Sequence, residues 1–361
     1  MLILEKERAH SIRGLMAIPA RSKITIKDVA RACGVSTQTI SRVLNDRKDV
    51  SRETREKILA VMQEMDYQPS ALARSMRQTS RTLGVINAEM QSIGISATLN
   101  AITQVSEKYG YSLILKELPS FETGDLRSFI QSLSAHQVQG IIYAAPEVGD
   151  TWKKVQSSIT DNVPPMVFLK GNPASAPITI SADNYGGAYS ITRHLVEQGY
   201  RHIAHISGPL EWWEARERKR AWARALVDAG RPVPEDAVSS GDWSCDSGAA
   251  AFEVLLKKYP EIDAVFVGND QMALGVLKVA WDRGMPVPNG LGVAGFDDID
   301  ESKYFIPSLT TVRQNFARLG EMAVRKLVSL NSTRIKDQEV TGDSIILPTE
   351  LIVRQSTRRS N

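Results

Sequence analysis

Apolar positions in the N-terminal segment repeat at helical spacing and predict three short helices. The first follows Thr25, which has an acidic residue three positions later as in a capping box, and it ends at Gly34. The second follows Ser36 and stops at Asn45, and the third opens at Ser51. Two short helices joined by a tight glycine-containing turn, with a third helix behind them, are the pattern of a helix-turn-helix.

Beyond Arg81 the pattern changes to short β-rich runs separated by amphipathic stretches of helix length. The predicted strands are Leu83–Ile86, Leu113–Leu115, Ile141–Tyr143, Met166–Leu169, Ile203–Ile206, Val265–Val267 and Val293–Phe296. The first four runs start 30, 28 and 25 residues apart, which is the spacing of βαβ units in a parallel sheet. Roughly 270 residues are too many to pack around one hydrophobic core, so we expect two α/β lobes. Ligands in such folds bind at the carboxyl ends of the strands.

These patterns predict five segments. Residues 1–22 show no sustained period, so we expect a disordered arm, and Met16 is an alternative start. The other segments are a helix-turn-helix head (23–68), a linker (69–80), a two-lobed α/β core (81–356) and a tail (357–361).

The composition is that of an ordinary soluble globular protein, with 42% apolar and 24% charged residues among 361. Its two cysteines, Cys33 and Cys245, lie far apart, which argues against a disulfide framework and against a cysteine metal site. No apolar run approaches the roughly 20 residues of a membrane helix, and no export signal is recognisable. We expect a cytoplasmic protein with no membrane partner.

Charge is divided unevenly along the chain. Residues 1–81 contain 16 Lys and Arg against 9 Asp and Glu, whereas the remainder contains 28 against 32. A basic head on a mildly acidic body is typical of a nucleic-acid-binding module joined to another function. Exposed Lys and Arg can also be solvated surface, so the charge alone does not decide the function.

The second predicted helix carries side chains that suit the edges of DNA bases. Gln38 can pair with adenine, Arg42 with guanine, and the methyl group of Thr37 can contact thymine. The alternative is a solvated helix start in an α-hairpin. Residues 69–77 are too short for a stable isolated helix, and they fit either a conditional helix or a plain linker.

No catalytic or metal-binding constellation can be assembled from the sequence. His202 and His205 are three apart at a predicted strand and should point to opposite faces, as should Asp297 and Asp298. There is no phosphate loop, zinc-helix motif or nucleophile elbow. We therefore expect no enzymatic activity, no cofactor and no metal.

Two ordered sets of short motifs run along the chain. In the head they are Thr25–Ala30, Gly34–Ser36, Thr39–Asn45, Val50–Ser51, Thr54–Arg55 and Tyr67–Ser70. In the core they are Asp183–Asn184, Gly199–Ala204, Gly208–Pro209, Asn269–Gly275, Gly295–Asp298 and Leu309–Gln314. Together they resemble the lactose-repressor (LacI/GalR) family over nearly all of residues 23–356. The resemblance implies a helix-turn-helix headpiece on a two-lobed core like that of periplasmic binding proteins.

For the head, the resemblance implies that Thr37, Gln38 and Arg42 read the major groove of a pseudo-palindromic operator. It assigns helix caps and DNA-backbone contacts to Thr25, Ser36, Ser41 and Asn45. It makes residues 69–77 a hinge helix that contacts the minor groove through Ala73, Met76 and Arg77. Met76 stands where the family usually has a leucine wedge, so kinking of the DNA should survive with a more flexible wedge.

For the core, the resemblance implies an effector cleft between the lobes. The matching positions are Lys170, Arg218, Trp243, Asn269, Asp297 and Gln314. Carboxylate, amide and guanidinium groups can each form two hydrogen bonds to neighbouring sugar hydroxyls, and an aromatic ring can cover the apolar face of a pyranose. Trp212 and Trp213 add aromatic surface nearby, although packing would equally explain each tryptophan.

Lys170 replaces an acidic sugar-binding residue of the lactose repressor. It can pair with Glu89 or Asp297, donate to a hydroxyl, or bind an anionic ligand.

Taken with the resemblance, the sequence predicts a homodimeric transcriptional repressor of carbohydrate genes that responds to a small sugar. The leucine heptads that tetramerise the lactose repressor have no counterpart here. The rival is a sugar-binding or sugar-transforming α/β protein with an incidental basic head.

Overall fold

The structure is a computed structural model that describes residues 24–44, 47, 49–67, 81–88, 93–118, 126–148, 163–175, 178–334 and 344–359. It divides into two compact units, Met1–Ser80 and Arg81–Asn361. Several predicted features lie outside the described residues, namely the arm over 1–22, Asn45, Glu89 and the hinge with Ala73, Met76 and Arg77. Within the described part, no helix is long and apolar enough to cross a bilayer.

The head contains the three predicted helices, α1 (Ile26–Cys33), α2 (Thr37–Leu44) and α3 (Arg52–Glu64). One apolar side chain from each helix, Val29, Ile40 and Ile58, is fully buried in a shared core. Because each helix buries a single stripe, the opposite faces stay in water.

Local capping explains where these helices begin and end. The Asp28 carboxylate accepts hydrogen bonds from the Thr25 backbone N–H (2.9 Å) and hydroxyl (2.6 Å). Ser36 and Ser51 accept from backbone N–H groups three residues on, at 3.1 and 3.2 Å. Gly34 ends α1 with φ of +70°, a left-handed conformation that glycine adopts without strain.

The first lobe of the core is a six-stranded parallel sheet in the order β11-β5-β4-β3-β1-β2. Its strands are β1 (Thr82–Ala88), β2 (Ser112–Leu118), β3 (Gly140–Tyr143), β4 (Met166–Leu169), β5 (Thr179–Ala182) and β11 (Ile345–Leu347). Its helices are α4 (Ile93–Lys108), α5 (Leu126–Ala135) and α10 (Phe316–Arg334). Alternate β1 residues point to two apolar clusters, one with α4 and α10 and the other with α5. The sheet is therefore covered on both faces.

The second lobe is a four-stranded parallel sheet in the order β7-β6-β8-β9. Its strands are β6 (Ile203–Ser207), β7 (Val238–Ser240), β8 (Ala264–Val267) and β9 (Gly292–Ala294). Its helices are α6 (Asn184–Glu197), α7 (Trp213–Asp228), α8 (Cys245–Lys258) and α9 (Asp270–Asp282). An antiparallel pair, β10 (Thr311–Arg313) and β12 (Glu350–Ile352), lies beside it. The chain crosses between the lobes three times, after β5, β10 and β11.

The predicted fold class is confirmed, and each of the seven predicted strands overlaps an observed one. The prediction for Val293–Phe296 was too long, because the ladder ends at Ala294 and Asp297 and Asp298 both turn to positive φ, +123° and +56°. His202 lies just before β6 and not within it. Five short strands were not predicted: β5, β7, β10, β11 and β12.

Candidate functional sites

The exposed face of α2 carries the predicted DNA-reading side chains. Thr37, Gln38 and Arg42 are exposed, whereas Ile40 and Val43 on the same helix are buried. Gln38 and Arg42 are one turn apart and therefore share a face. Arg42 forms an ion pair at 3.6 Å with Asp49, and both side chains are about half exposed. A contact this exposed is weak, so the guanidinium can leave it at little cost in free energy.

The candidate effector residues lie where strands of both lobes end. Lys170 follows β4, Asn269 follows the residue after β8, Asp297 comes shortly after β9, and Gln314 follows β10. These four residues and the other two candidates, Arg218 and Trp243, all line one cavity of about 40 Å³. The rest of its lining is Gly94, Ile95, Trp212, Glu214 and Phe316. A water molecule needs roughly 10–15 Å³ of such space, so the cavity has room for a few waters and is too small for a hexose. Ligand entry therefore requires the lobes or side chains to move.

Arg218 is the buried centre of this cavity. Its Nε donates to Asn184 Oδ1 at 2.8 Å and its Nη1 to the Gly268 carbonyl at 2.5 Å. The guanidinium carbon stands 3.9 Å from the centre of the Phe296 ring. A guanidinium has five N–H donors, so this positioning leaves donors for a ligand.

Asp297 and Gln314 form the acceptor side of the cavity. Gln314 Nε2 donates to Asp297 Oδ1 at 2.6 Å, and Arg218 Nη1 lies 3.8 Å from the same oxygen. Burial raises the pKa of Asp297 to about 6, while Arg218 and the Gln314 hydrogen bond act in the opposite direction. Within the described residues, Gln314 Oε1 is buried without a hydrogen-bond partner, which makes it an available acceptor.

Asn269 lines the cavity, and its amide also makes hydrogen bonds within the protein. Its Oδ1 accepts from the Met272 N–H at 2.9 Å and caps α9, and its Nδ2 donates to the Trp243 carbonyl at 3.0 Å. It therefore holds Trp243, whose φ is +77°. The Trp243 ring lies so close to Gly208 that an added Cβ there would be 2.1 Å away. The Trp243 and Trp212 rings are 5.5 Å apart at 61°.

Lys170 is buried, and its Nζ lies 5.4 Å from the Phe316 ring centre. The sequence left open an ion pair of Lys170 with Asp297 or with Glu89. Lys170 and Asp297 do not form a direct ion pair, and Glu89 lies outside the described residues. Burial lowers the pKa of Lys170, and the negative charges of Glu214 and Asp297 oppose that shift.

Sequence reasoning missed four side chains at or beside the cavity. Ile95, Glu214 and Phe316 line it, and Asn184 holds Arg218. Asn184 lies in the motif Asp183–Asn184, whereas Glu214 and Phe316 were marked only by their nearness in sequence to Trp213 and Gln314.

His205 and Asp298 have structural roles. His205 Nδ1 donates to the Phe266 carbonyl at 2.9 Å, and burial lowers the pKa of His205 to about 3, so the ring is a neutral part of the core. Asp298 accepts from Arg354 at 2.6 Å and from Arg313 at 2.7 Å, away from the Asp297 contacts. No group of metal-binding side chains occurs among the described residues.

A helix-turn-helix head and a two-lobed parallel α/β core with a cleft define a class of ligand-responsive DNA-binding regulators. Residues 25–70 match the bacterial regulatory proteins of the lacI family, and residues 192–357 match the periplasmic binding protein-like domain. The chain is 32% identical over 342 residues to the HTH-type transcriptional repressor PurR of Vibrio campbellii and 33% identical over 338 residues to catabolite control protein A of Priestia megaterium. Each alignment covers 93% of this chain and 99% of the relative.

Solved structures give the same assignment. A lac repressor dimer bound to operator and the anti-inducer ONPF has a TM-score of 0.83 at 32% identity, covering 93% of this chain and 99% of that one. A complex of the transcriptional regulator CelR with cellobiose has a TM-score of 0.68 at 28% identity, covering 92% and 99%. The chain therefore belongs to the LacI family. It is a DNA-binding transcriptional repressor and not an enzyme, which excludes the rival interpretation of the basic head.

Proposed function

We propose that this repressor controls carbohydrate genes and that a small sugar bound in the cleft controls its affinity for operator DNA. The observation that carries the proposal is the convergence of Arg218, Asp297 and Gln314 with the rings of Trp243 and Trp212 on one cavity. Forked polar groups suit vicinal hydroxyls, and the aromatic rings suit the C–H face of a pyranose. The cellobiose complex of the related CelR supports the same class of ligand.

The effector acts by changing the angle between the lobes. Because the cavity of about 40 Å³ cannot hold a sugar, the bound protein must differ from this conformation. The three crossings between the lobes are short segments about which such a movement can occur. A ligand that prefers one lobe angle shifts the population between operator-binding and released states.

The head binds a pseudo-palindromic operator in the cytoplasm. Thr37, Gln38 and Arg42 on the exposed face of α2 contact base edges, as their exposure and shared face allow. The caps and backbone contacts comprise Thr25, Ser36, Ser41 and Asn45. The minor-groove contacts comprise Ala73, Met76 and Arg77.

The protein works as a homodimer through the second lobe. Ile306 and Trp281 are 88% and 76% exposed, and Tyr304 and Leu274 are exposed too. Leu274 and Trp281 are seven residues apart on α9 and share a face. Large apolar side chains exposed to this extent favour burial against a second copy, and a dimer places two heads on two half-sites.

Two measurements on the full chain test the proposal. Calorimetric titration with a panel of neutral mono- and disaccharides, their uronic acids, their phosphates and planar nitrogen heterocycles should detect binding of a carbohydrate. Fluorescence anisotropy with a selected operator should show that the same carbohydrate changes DNA affinity. Binding of a heterocycle alone would overturn the carbohydrate assignment.

Asp297→Ala should abolish that response while operator binding persists, because the substituted residue lies in the core and not in the head. Asp236→Ala, which replaces an exposed carboxylate just before β7 in the same lobe, is the control. If Asp297→Ala abolished DNA binding in a protein that stays folded by circular dichroism, Asp297 would support the dimer or the lobe hinge instead.

A further inference from the structure

Two oppositely charged side chains face the effector cavity from different lobes. Lys170, at the end of β4 in the first lobe, is 7% exposed, and Glu214, in the first turn of α7 in the second lobe, is 6% exposed. Both line the cavity. In the part of the chain that the structure describes, neither side chain makes a hydrogen bond or an ion pair. We call these two residues the cross-cleft pair.

Burying unpaired charges is costly, so the state of this pair is informative. A buried ammonium or carboxylate normally closes on a partner, because separation from water is otherwise uncompensated. The negative charge of Glu214 opposes the fall in the pKa of Lys170 that burial causes, and it does so more strongly than the charge of Asp297. A ligand group placed between the two side chains would satisfy both of them.

The chemistry of the pair specifies that group. Lys170 can only donate hydrogen bonds, and an ionised Glu214 can only accept them. A hydroxyl satisfies both, since it accepts from the ammonium and donates to the carboxylate. The neighbouring atoms fit the same ligand, because Trp243 Nε1 is a buried donor and Gln314 Oε1 a buried acceptor, each without a partner among the described residues.

The charge balance of the cavity separates neutral from charged ligands. Two basic side chains, Lys170 and Arg218, and two acidic side chains, Glu214 and Asp297, line the cavity, so their formal charges cancel when all four are ionised. A carboxylate or phosphate on the ligand would add a negative charge beside both carboxylates, and an amino group would add a positive charge beside both cations. A neutral polyhydroxylated ligand leaves the balance intact.

We propose that the cross-cleft pair holds hydroxyl groups of a neutral sugar from opposite lobes and thereby selects neutral effectors over sugar acids, sugar phosphates and amino sugars. This inference rests on the proposed function, since it assumes a carbohydrate in this cleft. It assigns Glu214 a role in ligand specificity and makes Lys170 a hydrogen-bond donor to a sugar hydroxyl. Because one residue comes from each lobe, the same contacts link ligand identity to the lobe angle.

The test compares ligand preference in the full-length wild type and three variants. Calorimetry measures the affinities for neutral hexoses and disaccharides, the matching uronic acids and 6-phosphates, and glucosamine. The wild type should bind a neutral sugar at least tenfold more tightly than its acid or phosphate. Glu214→Gln should shift that ratio at least tenfold toward the anions, and Lys170→Gln should shift preference toward glucosamine. The double variant should bind the neutral sugar more tightly than the two single effects predict.

Glu217→Gln is the matched control, because Glu217 lies on the same helix α7, pairs with Arg220 and does not line the cavity. It should leave every ratio unchanged. A wild type that prefers the anionic sugars, or a neutral-to-anion ratio that Glu214→Gln does not move, would overturn the inference and leave the carbohydrate function standing. A wild type that binds none of the carbohydrates would overturn the proposed function and this inference with it.

Discussion

Ionisation of Asp297 should make effector affinity depend on pH. Burial raises the pKa of Asp297 to about 6 in this conformation, from a usual value of 3.8. A sugar hydroxyl that donates to the carboxylate stabilises its charged form, so the pKa falls when the ligand binds. The complex then holds fewer protons than the free protein, and affinity rises with pH up to about 6 and is constant above it.

The size of this effect follows from the shift. If binding restores the usual pKa, the difference of about two units is worth up to roughly 3 kcal/mol, or about 100-fold in affinity between strongly acidic and neutral solution. The Asp297 side chain is 17% exposed, so solvent screening makes this an upper limit. Binding at about pH 5 should therefore be about tenfold weaker than binding at about pH 7.5, because most of the free protein carries a protonated Asp297 at the lower pH.

Calorimetric titration of the full chain with a bound sugar at several pH values measures this directly. Asp297→Asn keeps the side-chain shape but cannot ionise, so its affinity should be lower at neutral pH and flat over the same range. A flat wild-type profile would refute the reasoning. So would a slope that persists in Asp297→Asn, because the titrating group would then be a different one.

Three further outcomes follow from the geometry. Arg42→Ala should weaken specific operator binding by about 1–3 kcal/mol and relax preference at one base pair per half-site, as measured by salt-controlled anisotropy; equal losses on random duplex would make Arg42 a phosphate contact. Ile306→Asp should lower the dimerisation affinity in sedimentation of the full chain, and an unchanged dimer would place the interface elsewhere. Gly208→Ala should weaken sugar binding at least tenfold, because a Cβ there would lie 2.1 Å from the Trp243 ring; wild-type affinity in this variant would show that the ring position is unimportant.

The sequence alone determined the helices of the head and most strands of the core. Thr25, Ser36 and Ser51 cap their helices through hydrogen bonds to residues three positions away, so the information is local. Strands such as β4 and β8 are buried on both faces and read as continuous apolar runs. The family resemblance also predicted a shared cleft for six residues, and all six line one cavity: Lys170, Arg218, Trp243, Asn269, Asp297 and Gln314.

Only the tertiary structure decided the short strands that depend on distant partners. Strand β11 pairs Ile345 with Ile180, and β10 pairs Thr311 with Ile352. Each strand has three residues, which is too few for an alternating pattern to be recognised. They exist because neighbouring strands supply the hydrogen bonds that so short a segment cannot provide for itself.

Tertiary contacts also decided what each cleft residue does. Lys170, Trp243 and Asp297 all adopt positive φ, +60°, +77° and +123°, a costly conformation that persists only where surrounding contacts hold it. Asn269 lines the cavity and also holds the Trp243 backbone, and Glu214 lines the same cavity although no sequence motif pointed to it. Residue type determines which bonds a side chain can make, but which of them remain available to a ligand depends on neighbours that are distant in sequence.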